Sequence, residues 1–279
     1  MPVAPSQTVS PEPDPALLAA ALEPVKRAPS QSRHGPVVIG LCGAQGSGKS
    51  TLAAALQRAL RADNVSAAVL SLDDLYLTKA ERLALAQKVH PLLATRGVPG
   101  THDIDLGLAL FAALDAGQSA RLPRFDKATD DRIAQSEWPL IEQTPSVLIF
   151  EGWCVGARPE QEAALANPIN ALEADEDRSG IWRHYANAAL AGPYQQLFTR
   201  IDRLIFLAAP SFAIVRRWRG EQETTLRAQH PDGSALQNSA ALDRFIQHYE
   251  RLTRHILHEM PRYADLVLPL DNDRQLLSR

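Results

Sequence analysis

The chain has 279 residues, 45% hydrophobic and 22% charged, the composition of a globular protein with a full-sized core, and the length suits one large α/β domain. Its 29 lysines and arginines against 32 aspartates and glutamates give a formal net charge of −3, with no basic run to track a phosphate backbone, which argues against a nucleic-acid partner. Residues 1–15 lack a cationic stretch followed by an apolar one, and no apolar run is long enough to cross a bilayer, so the expectation is a cytoplasmic protein with no membrane partner.

Pro2, Pro5, Pro11, Pro13, Pro15, Pro24 and Pro29 punctuate the head of the chain, so residues 1–35 read as a flexible arm. A short helix interrupts it in this reading: Asp14 suits the cap, Pro15 the first helical position, and Leu17, Leu18 and Leu22 form an apolar stripe. From Pro36 the pattern changes to an apolar run over 37–42, a glycine cluster, and a helical run over 50–61 with Leu52, Leu56 and Leu60 in register. Further apolar runs follow at 67–72, ending in Asp73-Asp74, at 147–150, ending in Glu151, and at 204–207 and 266–268.

Runs this apolar, separated by long helix-compatible segments, predict parallel strands covered on both faces by helices, a doubly wound, mainly parallel sheet over 36–279. The Ala-rich segment 158–199, interrupted by Pro168 and Gly180, reads as a helical insertion. Cys42 and Cys154 are too few for a disulfide framework and lack metal-ligand spacing, so they read as buried thiols.

Gly43-Ala44-Gln45-Gly46-Ser47-Gly48-Lys49-Ser50, followed by Thr51, has the Walker A spacing of a glycine, four residues, then Gly-Lys-Ser. Glycines let the backbone turn its N–H groups toward phosphate oxygens, and the next helix adds its positive end. In that arrangement Lys49 reaches the β- and γ-phosphates of ATP and the Ser50 hydroxyl ligates Mg²⁺. The motif falls between a predicted strand and a predicted helix, the context its mechanism needs.

In open α/β sheets the ligand sits beyond the carboxyl ends of the strands, so Asp73, Asp74 and Glu151 are placed to face it. Glu151 has the position of a Walker B acid able to hold Mg²⁺ directly or through water. Either Asp73 or Asp74 could accept a proton from a substrate hydroxyl, the plain alternative being an Asp that caps the following turn.

Walker A, Asp-Asp-Leu-Tyr after the second strand and Phe-Glu-Gly after the third resemble the phosphoribulokinase, uridine kinase and pantothenate kinase superfamily. More narrowly, residues 71–78 (Ser-Leu-Asp-Asp-Leu-Tyr-Leu-Thr), 96–103 (Arg-Gly-Val-Pro-Gly-Thr-His-Asp), 123–127 (Pro-Arg-Phe-Asp-Lys) and 150–156 (Phe-Glu-Gly-Trp-Cys-Val-Gly) resemble the D-glycerate 3-kinase family, in a likeness that runs from Val38 to about Asp273. The resemblance implies a P-loop kinase that moves the γ-phosphate of ATP, with Mg²⁺, onto the 3-hydroxyl of D-glycerate, with Asp73 as the base. A nucleoside, pantothenate-like or other sugar-acid acceptor keeps the same fold. A P-loop protein that binds nucleotide to regulate a partner is the reading from another class.

A small carboxylate acceptor needs a cation and a base, and Arg124, Lys127, Arg132 and His102 are the candidate cationic contacts. Residues 96–103 are too rich in turn formers for a helix or central strand, so a shaped loop is expected to bring Arg96 and His102 to the acceptor, beside Asp74 and Tyr76. The resemblance also implies a lid over about 216–235, with Arg217 and Arg219 neutralising the transferred phosphoryl group, and a turn after 266–270 near the adenine. One departure from the family is a shortening: only Ala128-Thr129-Asp130 separate Asp126-Lys127 from Asp131-Arg132. If the 147–150 strand adjoins the 37–41 strand, as the superfamily's strand order implies, Cys42 and Cys154 approach the nucleotide end, and thiol oxidation is expected to disturb ATP binding.

Overall fold

The computed structural model describes residues 12–27, 35–229 and 239–277. Five strands, β1 (Val37–Gly43), β2 (Ala67–Ser71), β3 (Val147–Gly152), β4 (Arg203–Ala208) and β5 (Leu266–Pro269), form one parallel sheet in the order β2-β3-β1-β4-β5. Every pairing is parallel, with Cys42 opposite Gly152 across β1 and β3 and Ser71 opposite Glu151 across β2 and β3. All five carboxyl ends therefore lie at one edge, and the end of β1 lies between strands reached in opposite directions.

Strand periodicity divides the core into two layers. Val38, Cys42, Leu148, Phe150 and Phe206 point to one face, where they pack with α4 (Ile104–Asp115), α7 (Gln195–Phe198) and α9 (Ser239–Glu259). Ile39, Leu41, Ile149, Ile205 and Leu207 point to the other, against α1 (Pro15–Arg27), α2 (Lys49–Ala62) and α8 (Phe212–Gln229).

The short helix expected within residues 1–35 is α1, and it is docked on the domain. Asp14 accepts from the Ala16 N–H at 3.0 Å, and Leu17, Ala21 and Val25 bury themselves beside Leu52, Leu56 and Leu60 of α2. A helix that removes an apolar face from water is held by that face, here even with Pro24 inside it. The rest of the arm, residues 1–11 and 28–34, lies outside the described residues, as does the 230–235 part of the expected lid.

The 158–199 segment contains two short helices, α5 (Ala171–Glu176) and α6 (Ile181–Ala189), and a π-type turn at Leu190–Tyr194, kinked at Gly192 before Pro193, that leads into α7. A buried ionic cluster docks it on α9. Arg251 of α9 donates to both oxygens of Glu173 at 2.8 and 2.7 Å, and Glu173 is fully buried. No described helix is long and apolar enough to cross a membrane.

Candidate active site

The phosphate loop leaves β1 at Gly43 and enters α2 at Lys49. Gly46 (φ +77°) and Gly48 (φ +86°) take left-handed conformations, and a Cβ at Gly46 would come within 2.5 Å of Trp218 on α8. The turn thus needs glycine there for both dihedral and space. Gly46→Ala is expected to weaken ADP binding at least tenfold, measured by calorimetry, because the backbone must move off Trp218 at the point where it meets the phosphates.

The Ser50 hydroxyl donates to Glu151 Oε1 at 3.0 Å, while Glu151 Oε2 is buried with no hydrogen-bond partner. Hydroxyl and carboxylate oxygens beside a phosphate loop are the hard donors Mg²⁺ prefers, and Mg²⁺ takes few protein ligands because it keeps its waters. The donor set therefore fits the ion, although no group of three or more acidic, His or Cys side chains occurs among the described residues.

At the end of β2 the chain tightens into a turn over Leu72–Leu75 that aims the two aspartates apart. Asp74 turns to the neighbouring loop, accepting from Arg124 at 2.9 Å and the Phe125 N–H at 3.0 Å. Burial nevertheless pushes its carboxyl up, against the pull of Arg124. Asp73 faces the cavity, accepting from the Tyr76 hydroxyl at 3.0 Å and from Lys127 at 2.6 Å. Burial alone would raise Asp73, but Lys127 and Lys49 outweigh it and hold the carboxyl well below the usual range.

Lys127 reaches Asp73 because the segment 125–132 closes on itself. Phe125–Asp126 pairs antiparallel with Asp131–Arg132, and between them Asp126 accepts from the Ala128 N–H at 2.8 Å and the Thr129 hydroxyl at 2.9 Å. Asp130 takes φ +57° to complete the turn. Residues 127–130 thus form the turn of a tight hairpin that carries Lys127.

Two cavities meet here. A larger one, about 580 Å³, runs along Gly46, Ser47, Gly48 and Thr51, and a smaller one is lined by Asp73 with Lys49, Arg96, Lys127 and Arg219. Lys127 and Arg219 border both. Tyr76, Trp153, Phe245 and Tyr249 supply the aromatic walls of the smaller one.

Several expected acceptor contacts are committed elsewhere. His102 is buried, with Nδ1 2.6 Å from the Tyr194 hydroxyl, and burial lowers its pKa to about 3, so it is neutral and not a cation for a carboxylate. Its ring instead stacks on Tyr76 at 4.3 Å. Arg132 holds the Tyr76 carbonyl at 2.8 Å and Asp103 at 3.2 Å, and Arg124 is tied to Asp74, so both brace the loops around the pocket. Arg96 pairs with Asp130 and still lines the smaller cavity.

The two arginines expected from the lid separate. Arg219 borders both cavities and lies 5.2 Å over the Phe245 ring. Arg217, two residues earlier on the same helix, pairs with Glu221 and Asp273 and lines neither. Positions two apart on a helix diverge by most of a half-turn, so only one can face the site.

Phe245, Tyr249, Trp153 and Arg274 escape the sequence reading. The Trp153 indole donates to the Gly97 carbonyl at 3.0 Å and the Tyr249 hydroxyl to the Arg96 carbonyl at 3.0 Å, which shapes the 96–101 loop. Arg274 donates to the Gly46 carbonyl at 2.5 Å while lying over Trp218. None sits in a motif whose spacing carries chemistry, although Trp153 belongs to a stretch that resembled the family.

The thiols are deep. Cys42 donates to the Trp153 carbonyl at 3.3 Å, and burial pushes its pKa up to about 12 and that of Cys154 well above the ordinary value. Only a thiolate reacts readily with oxidants, so the expected sensitivity of ATP binding to oxidation is withdrawn. Peroxide treatment of the folded protein is expected to leave both cysteines unmodified by mass spectrometry and turnover unchanged.

Residues 38–158 match the family described as phosphoribulokinase / uridine kinase. An uncharacterized kinase of Schizosaccharomyces pombe, mug58, is 34% identical over 252 residues, spanning 85% of this chain and 83% of that protein. The chloroplastic D-glycerate 3-kinase of Arabidopsis thaliana is 31% identical over 86% of this chain, which covers 52% of that enzyme. Among solved structures, a D-glycerate 3-kinase from Cryptococcus neoformans superposes with a TM-score of 0.76 at 25% identity, over 94% of this chain and 97% of that one. This chain belongs to the D-glycerate 3-kinase family of phosphoribulokinase / uridine kinase folds. It is an ATP-dependent P-loop kinase whose acceptor is an alcohol on a small molecule. The larger cavity runs along the phosphate loop, where a nucleotide is expected, and the smaller one holds Asp73 beyond it, where an acceptor is expected.

Proposed function

We propose that this kinase phosphorylates D-glycerate at its 3-hydroxyl, with Asp73 as base and Mg²⁺ held by Ser50 and Glu151. The observation that carries the reading is the lining of the smaller cavity, one carboxylate among Lys49, Arg96, Lys127 and Arg219. A small hydroxy acid gives those cations a carboxylate to bind and gives Asp73 a hydroxyl to face. An uncharged nucleoside would bring no carboxylate to this cationic lining.

Arg96, on the braced 96–101 loop, is the residue assigned to the acceptor carboxylate. Lys127 and Arg219, at the junction of the cavities, neutralise the oxygens of the phosphoryl group as it crosses, and Lys49 holds the β- and γ-phosphates. Mg²⁺ on Ser50 and Glu151 supplies further charge neutralisation at the phosphate oxygens. Asp73 accepts the hydroxyl proton. Its lowered pKa makes it a weak base, which suffices where bonding to the nucleophile is slight at the transition state and the proton leaves late.

The test is ADP release from MgATP with D-glycerate, L-glycerate, uridine or pantothenate. Stimulation by D-glycerate alone is expected. Stimulation by uridine or pantothenate instead would reject the acceptor while keeping the mechanism, and the absence of stimulation by any of the four would reject this acceptor assignment altogether.

A further inference from the structure

The nucleotide cavity has walls that the phosphate loop does not supply. Glu12, Asp14 and Leu17 border one side, and Asp273 and Gln275 of the C-terminal turn border another. Since the phosphate loop takes the phosphates, these two segments enclose the part of the cavity left for the nucleoside.

The segments lie at opposite ends of the chain, and one side chain joins them. Asp14 Oδ2 accepts from the Leu276 N–H at 2.8 Å, while Oδ1 accepts from the Ala16 N–H at 3.0 Å at the start of α1. Glu12 in turn accepts from Arg58 of α2 at 2.8 Å through both oxygens, and α2 is the helix that opens on the phosphate loop. The Arg274 contact with Gly46 adds a second tie between the C-terminal turn and the loop. Phosphate loop, α1 and C-terminal turn are thus linked in a ring around the cavity.

We propose that Asp14 is a positioning residue of the nucleotide site, latching the C-terminal turn to α1 so that the nucleoside walls stand ready before the nucleotide enters. A wall ordered in advance spares the complex the entropy of ordering it on binding. The inference rests on the larger cavity being the nucleotide site, and the experiment separates the two.

ADP binding is measured by calorimetry without acceptor, using wild type, Gly46→Ala, Asp14→Ala and Asp14→Asn. Gly46 borders the larger cavity, so Gly46→Ala should weaken binding at least tenfold, and retention of wild-type affinity would remove the premise about the cavity. Asp14→Ala is expected to raise the ADP Kd at least tenfold, with the larger share of the kinetic loss in KM for ATP rather than kcat. Asp14→Asn, which keeps one acceptor oxygen, should fall between the two. In the free wild type, hydrogen exchange in residues 14–18 and 274–277 should already be slow and change little when ADP binds, a readout that needs no variant to fold. Unchanged Kd in a folded Asp14→Ala, or fast exchange in both segments that only ADP slows, would overturn the latch.

Discussion

Replacing Asp73 by Asn is expected to lower kcat by about 10²–10⁴-fold, the range for loss of a positioned general base, while the ADP Kd stays within twofold. The separation follows from placement: Asp73 lines the smaller cavity, proposed for the acceptor, and not the larger one along the phosphate loop. Asn preserves the volume and can still accept from Tyr76, so the fold at the end of β2 is kept and only the proton-accepting charge is lost. Asp74→Asn is the comparison, because Asp74 carries the Arg124 and Phe125 contacts and faces the loop. Single-turnover kinetics with saturating MgATP measure both. Nearly full turnover in Asp73→Asn would end its assignment as base, and a greater loss in Asp74→Asn would transfer the role.

Replacing Glu173 by Ala is expected to destabilise the protein by about 3–5 kcal/mol, the cost of removing one partner from a buried ion pair. Glu173 accepts from both arms of Arg251 and from the Ile169 N–H at 3.0 Å. Without it, Arg251 keeps the Ala164 and Asn167 carbonyls and Glu160 at 3.3 Å, which leaves a largely buried guanidinium with one carboxylate in place of two. The same pair joins the helical insertion to α9, and α9 also carries Phe245 and Tyr249 in the acceptor wall. Urea denaturation with ADP calorimetry reads the outcome: the midpoint should fall with the slope unchanged, and ADP affinity should persist in the folded protein. A loss under about 1 kcal/mol would mean that the cluster is loosely held or that water replaces the carboxylate.

The phosphate loop was legible because its chemistry is local. Eight consecutive residues supply the turn, the N–H groups and the lysine, and their place between an apolar run and a helical run fixes their context. The acids at strand ends were legible for a similar reason, since parallel strands put their carboxyl ends on one edge. The acceptor side was not. His102 looked like a cation because its motif sits in a loop, and its burial depends on Tyr194, which lies 92 positions away. Arg217 and Arg219 looked alike on one helix until packing decided which faced the cavities.

The sequence by itself determined the sheet, the phosphate loop, the acids facing it and the family, because strand periodicity, glycine dihedrals and a contiguous motif act over a few residues. Only the tertiary structure decided that Asp73 faces the cavity while Asp74 braces a loop, and that a tight hairpin brings Lys127 to Asp73. It also decided that Glu12, Asp14 and Leu17 and residues 273–275 wall the cavity along the phosphate loop. These depend on contacts between residues tens to hundreds of positions apart, and such contacts are fixed by how whole layers pack and not by any local run of residues.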